Sequence, residues 1–424
     1  MERLNIDKLK MLAVATTLAM FAGVACAEHE TQFYGQLNRA VNGTDDGKHQ
    51  NTFFVDNAFS GSMLGAKSMA HLNKCVSIGG VLETQFNAGN SLNVNQLANS
   101  NDEDNNILLV KTADVWVAHS GLWGKLTLGH GNAASYGITR MSYSRAGDTV
   151  SSATVANLAG GMRLQTTKST GDSTALTVYN VFSNPDGVGS YDATGYFRGQ
   201  NRVRWDSGMW YGLSLAVSHG STSDRDLGAA NFGIKNGINR QFTDVALRFE
   251  EKFADFKVSA GIAAAKYSRN GILVGDYNTA ASALGITLPS GTARGQKLWA
   301  GSVAVEHVHT GINAAASYAN RRKGTSALSN QKVWFVQLGK HFDFTHYGKT
   351  NLVLDYYQGK NSLLNTDKSK SYSVGVVQDL DKANSAVYAT VRSYKYNPNS
   401  ASTTRFKAMK VASVGMLFKF GAML

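Results

Sequence analysis

The chain has 424 residues, 43% of them hydrophobic, with 43 glycines, 3 prolines and a formal charge of +12. That apolar content excludes a disordered chain, and the lack of a triplet glycine period excludes a collagen-like one. Beyond the first 27 residues no stretch approaches the ~18 apolar residues that mark a transmembrane helix, so membrane residence would have to come from strands.

Residues 1–27 read as a secretory signal peptide. Arg3, Lys8 and Lys10 form a basic start, Met11 to Ala22 an apolar core, and Ala25-Cys26-Ala27 a small-residue cleavage site before Glu28. A rival route, lipidation at Cys26, would want a leucine three residues earlier, where Gly23 stands. Cleavage removes three bases and two acids, so the mature chain, 28–424, carries +11. It also leaves Cys75 alone, which excludes an intrachain disulfide. An exported chain of this size then needs another restraint, and a closed hydrogen-bonded barrel supplies one.

From Glu28 onward short runs alternate apolar with small or polar residues, as half-buried strands do. In the last run Ala412, Val414, Met416, Phe418 and Phe420 share one parity, with Ser413, Gly415 and Lys419 between them. The pattern predicts about sixteen strands, near 31–41, 55–69, 75–87, 107–119, 124–130, 196–206, 210–220, 240–251, 255–268, 295–308, 311–321, 332–343, 349–360, 369–380, 384–396 and 407–420. Tight turns alternate with longer loops, the asymmetry of an outer-membrane barrel, and both termini fall on the short-turn side.

Parity assigns faces. Tyr211, Leu213, Leu215 and Val217 are expected to face lipid, as are Val245, Leu247 and Phe249, while Asp244, Arg248 and Glu250 face inward. Charges recurring opposite the aliphatics suit a wide, wet barrel better than a soluble sandwich. Trp116, Trp123, Trp205, Trp210, Tyr211, Trp299, Trp334, Phe418 and Phe420 stand near strand ends, as an interfacial aromatic girdle would.

Four segments carry a family resemblance. They are Phe33-Tyr34-Gly35-Gln36-Leu37, Ser60 to Lys67 with Leu82-Glu83, Gly124 to Gly131, and Arg204-Trp205-Asp206-Ser207 with Gly212-Leu213. Together they resemble the general porins of Gram-negative outer membranes. The resemblance implies an all-β transmembrane antiparallel barrel of sixteen strands, a homotrimer whose third long loop folds inward to narrow a pore. The stretch after Gly131 fits that loop, because about 60 residues separate it from the next clear strand. Within it, Gly171 to Phe182 could add a wall strand, which with a partner would raise the count to eighteen.

A porin waist opposes bases on the wall to acids on the loop. Inward parity stacks Arg198, Arg202 and Arg204 on one strand, and such a ladder is tolerable in water or beside acids. Asp148 in the loop is the favoured partner, ahead of Asp172 and Asp186, with Gln36 and Lys67 nearby. The family's other basic positions read Gln36, Met63 and Asp114, and His130 replaces the arginine that commonly ends the fifth strand. Any field must then come from the arginine ladder and from Lys67, Arg248 or Arg392. The chain also ends on Leu424 rather than the family's phenylalanine.

Other chemistry is weakly marked. His307 and His309 share a strand face but have no suggested third metal ligand. Gly129-His130-Gly131 precedes no helix and so is no phosphate loop, and no motif marks a nucleophile with its base. No enzyme, cofactor or nucleic-acid partner is expected. The basic excess points to anionic solutes and to lipid phosphates, with Arg321-Arg322-Lys323 a solvated turn or a contact for lipopolysaccharide. The reading is a passive channel for small hydrophilic solutes in the outer membrane; its rival is a surface-displayed barrel acting as an adhesin, with incidental conduction.

Overall fold

The computed structural model describes residues 29–86, 89–97, 108–121, 123–167, 176–188, 199–224, 238–268, 295–398, 402 and 404–423. The segment expected to be a signal peptide, 1–27, lies outside them, as do Asp172, Arg198 and Leu424.

Seventeen strands form one antiparallel sheet: β1 (His29–Asp45), β2 (Gln50–Asp56), β3 (Met63–His71), β4 (Val76–Phe86), β5 (Leu108–His119), β6 (Gly124–Gly131), β7 (Gln200–Asp206), β8 (Leu213–Asp224), β9 (Ile238–Phe253), β10 (Phe256–Tyr267), β11 (Lys297–His307), β12 (Ile312–Arg322), β13 (Gln331–Thr345), β14 (Gly348–Lys360), β15 (Lys368–Leu380), β16 (Ser385–Asn397) and β17 (Met409–Met423). Apart from β2 and β3, which both pair with β1, each strand pairs with its neighbour in sequence. The ladder from Gln32 opposite Met423 to Asp45 opposite Lys410 then joins first to last and removes both sheet edges.

The wall has sixteen positions because β2 and β3 share one. Both lie along β1, β2 against residues 39–45 and β3 against residues 29–36. The sequence pattern predicts a single strand over 55–69; residues 57–62 interrupt it instead. Side chains replace the missing ladder there. Ser62 Oγ accepts from Asn38 N at 2.9 Å, and the Asp56 carboxylate accepts from Ser62 N at 3.0 Å.

The proposed extra strand over 171–182 is also corrected. Val178–Phe182 is a short helix, α1, capped by Thr177, whose hydroxyl accepts from Asn180 N while the Asn180 side chain accepts from Thr177 N. Among the described residues no further wall strand is added; 171–175 lie outside them.

Faces follow the parity read from sequence. Leu213, Val217, Val245 and Leu247 are exposed on the outside, and Ala216, Ser218, Asp244 and Ala246 are buried inside. One girdle assignment fails: Trp116 points inward, while Val115 and Val117 beside it face out.

Residues 132–167 and 176–188 fold into the barrel and build an apolar core there. Val150, Val155, Leu158, Val181 and Phe182 are buried among inward side chains of the wall, and Phe182 meets the edge of Tyr394 at 5.0 Å. The lumen is therefore largely filled by its own loop.

Candidate pore and its charged wall

Polar contacts pin the lumenal loop around most of the wall. Ala134 N donates to Ser218 Oγ on β8, and Ser135 donates to Asp244 on β9 from both its backbone and its hydroxyl. Ser302 on β11 donates to Ile138 O, and Ser142 donates to Gln337 on β13. On β16, Tyr394 donates to Val155 O at 2.7 Å. On β1, Asn38 and Asn42 donate to Asp148 O and Leu158 O. Within the loop, Asp186 ties its two limbs together through Thr139 and Arg140.

Two bases offered by parity as sources of the pore field serve this anchoring instead. Arg248 donates to Ala134 O and Tyr136 O. Arg392 is fully buried and holds both Asp355 oxygens, at 3.0 and 2.6 Å.

Among the described residues, open space lies along β3 to β7. A cavity of about 520 Å³ is lined there by Lys67, Val81, Glu83, Thr112, Asp114, Trp116, Lys125, Thr127, Asn132, Arg202, Arg204 and Asp206. All but Asn132 are inward side chains of the wall.

Arg202 reaches across β6 to Asp114 on β5 in a two-pronged pair, at 2.5 and 2.8 Å. Gly129 makes that reach possible. It stands between the partners in register, opposite both Asp114 and Arg202. A Cβ at Gly129 would lie 2.6 Å from Asp114 Oδ1, and its φ of +149° disfavours other residues. Arg204 pairs with Asp206 two residues along β7 at 2.6 Å, and both arginines also donate to Asn132 O at the root of the loop. Glu83 accepts from Tyr34 and Thr112 and lies 3.6 Å from Lys111. Lys125 sits 5.6 Å from the centre of the Trp116 ring. Among the described residues, Lys67 and Lys125 have no carboxylate within 4.0 Å, so the cavity holds four bases against three acids.

Of the residues read from sequence as a waist, three come together. Arg202, Arg204 and Lys67 line one cavity. Their acids come from the wall, Asp114 and Asp206, rather than from the loop. Asp148 pairs with Lys419 on β17 at 3.2 Å, and Asp186 is buried within the loop. Gln36 is buried as well; it donates to Ser60 O, Ser60 Oγ and Gly61 O and so stitches the break between β2 and β3. Sequence reasoning missed Asp114, Lys125 and Trp116. The signal for Asp114 was its inward parity opposite a glycine flanked by strands carrying opposite charges.

Comparison with known proteins agrees with this architecture. Residues 13–399 match the family model described as Gram-negative porin. No curated protein matches the chain. Among solved structures it is similar to an anion-selective porin from Comamonas acidovorans, with 13% identity and a TM-score of 0.56 over 93% of this chain and 100% of that one. It is also similar to OmpF of Salmonella typhi in complex with daunomycin, with 13% identity and a TM-score of 0.54 over 93% and 98%. In-vitro folded OmpT, an outer membrane protein of Vibrio cholerae, aligns with 11% identity and a TM-score of 0.53 over 94% and 99%. At such identities the likeness is one of fold. The family match spans nearly the whole chain and fits the closed barrel with its inward loop. The chain belongs to the Gram-negative porins, which form outer-membrane channels for the diffusion of small solutes.

Proposed function

We propose that solutes pass between the lumenal loop and the β3–β7 wall, and that this wall sets the channel's preference. The observation that carries the reading is the position of the charged cavity, along β3 to β7. Size is limited by the pinned loop. Charge acts through Lys67, Arg202 and Arg204, with Lys125 added. Because Arg202 and Arg204 are matched by Asp114 and Asp206, the net bias comes from Lys67 and Lys125 and is weakly toward anions. No bond is made or broken in this mechanism.

The mature protein begins near Glu28, is exported to the outer membrane and works as a homotrimer. Planar-bilayer recording tests the channel. Conductance rising in groups of three equal steps supports it, and a silent barrel that folds correctly overturns it.

A further inference from the structure

Of the six tryptophans, Trp116 alone lines the lumenal cavity. Its register partner on β4 is Gly79. A Cβ at Gly79 would meet Trp116 Cζ2 and lie 2.7 Å from Cε2, so the indole lies against bare backbone. The residue is half-buried, and what the glycine does not cover borders the cavity. Trp205 donates its Nε1–H to Trp123 O, whereas the indole N–H of Trp116 donates to no protein group among the described residues.

Two unmatched bases flank this surface. Lys125 Nζ stands 5.6 Å from the ring centre. Lys67 enters the same cavity from β3, and its charge acts on Lys125. Both side chains are exposed to the lumen, and neither has a carboxylate within 4.0 Å among the described residues. The acids of the cavity are committed elsewhere: Asp114 to Arg202, Asp206 to Arg204, and Glu83 to the hydroxyls of Tyr34 and Thr112. Thr127, opposite Trp116 on β6, is 4% exposed, lines the cavity, and its Oγ1 has no hydrogen-bond partner in the protein. A wet aromatic face, paired ammonium groups without counter-charge and an unpartnered hydroxyl are each unfavourable alone, and a solute of the right shape relieves them together.

That solute is planar and apolar at one end and anionic at the other. A neutral sugar leaves the ammonium groups unmatched, and an aliphatic acid leaves the indole face without a stacking partner. We propose that Trp116, Lys67 and Lys125 form a subsite for small aromatic carboxylates, the indole taking the ring and the two ammonium groups the carboxylate. The proposal rests on the reading that solutes pass along the β3–β7 wall, and it gives that wall a solute class.

The test uses the mature protein with four probes: benzoate, cyclohexanecarboxylate, acetate and benzyl alcohol. Interruptions of single-channel current are counted in planar bilayers, and binding to the solubilised protein is measured by calorimetry. Benzoate is expected to bind and to interrupt the current, and the other three to bind at least about threefold more weakly. Trp116→Ala should weaken benzoate about fivefold and remove its advantage over cyclohexanecarboxylate, while Trp116→Phe should keep that advantage. Lys67→Gln with Lys125→Gln should weaken both carboxylates alike, about fivefold or more. Trp299→Ala, on the outer face, should change neither. If Trp116→Ala fails to fold, Trp116→Leu keeps the bulk without the aromatic ring and should bind the two carboxylates equally. Equal binding of benzoate and cyclohexanecarboxylate by the wild type, or undiminished benzoate binding without the indole, would overturn the proposal. A conducting channel that is blind to benzoate overturns the subsite and leaves the channel standing; benzoate binding through Trp116 in a barrel that does not conduct counts against the channel alone.

Discussion

Arg392 on β16 and Asp355 on β14 meet across β15 in a fully buried two-pronged pair, and Ser151 of the lumenal loop donates to the same carboxylate. Ser371 and Ser373 on the intervening strand accept from the same guanidinium. One ion pair therefore joins three wall strands to the loop.

Removing half of this pair strands a buried charge. Arg392→Ala is expected to cost about 3–5 kcal/mol. The barrel should unfold at lower temperature, and the loosened loop should make open-channel current noisier. Replacing both partners by Arg392→Met and Asp355→Leu should be milder than either single change. Equal damage from single and double variants would show that the charge pairing is not what matters.

Much of this barrel is legible in sequence because strand parity and turn chemistry are local. Leu213, Val217, Val245 and Leu247 announce their face by spacing alone, and the strands appear within a few residues of their expected bounds. The break at 57–62 is hidden because its backbone is satisfied by Asn38, Asp56 and Ser62, partners that only the fold brings together. The acids paired with Arg202 and Arg204 were hidden for a related reason. Asp114 meets Arg202 through the register of β5, β6 and β7, a relation between distant segments that periodicity within one strand does not encode.

Gly79 on β4 holds space for Trp116. A Cβ there would lie 2.3 Å from Trp116 Cζ2 and 2.5 Å from Ser68 O. Gly79→Val should push the indole toward the cavity and lower single-channel conductance, and adding Trp116→Ala should restore it. Conductance unaffected by Gly79→Val would place Trp116 away from the conducting path.

The Arg202–Asp114 pair should behave as a unit. Asp114→Asn frees a positive charge and is expected to raise anion preference, whereas Arg202→Gln frees a negative one and is expected to lower it. The double change should return near the wild type. Shifts that simply fail to oppose each other would break the link between this pair and selectivity.

Lys323, in the loop after β12, is fully buried and donates to Leu363 O at 3.1 Å. Burial pushes its ammonium group down to about 7, with Asp367 opposing that shift and Arg321 adding to it. When the loop opens the group returns to its ordinary value near 10.4. Between these values the open form binds the extra proton, so lowering the pH from ~10 toward ~7 favours opening. Amide exchange in residues 323–328, corrected for intrinsic rates, should therefore be faster at pH 7 than at pH 9. Lys323→Met should remove the difference; a difference that persists would assign it to another group.

The claim that the β3–β7 wall sets the channel's preference is tested most directly by reversal potential in a salt gradient. Wild-type channels should show a weak anion preference. Arg202→Ala with Arg204→Ala leaves Asp114 and Asp206 uncompensated in the cavity and should move the reversal potential to the cation side. A reversal potential identical to that of the wild type, from variant channels of normal stability, would contradict it.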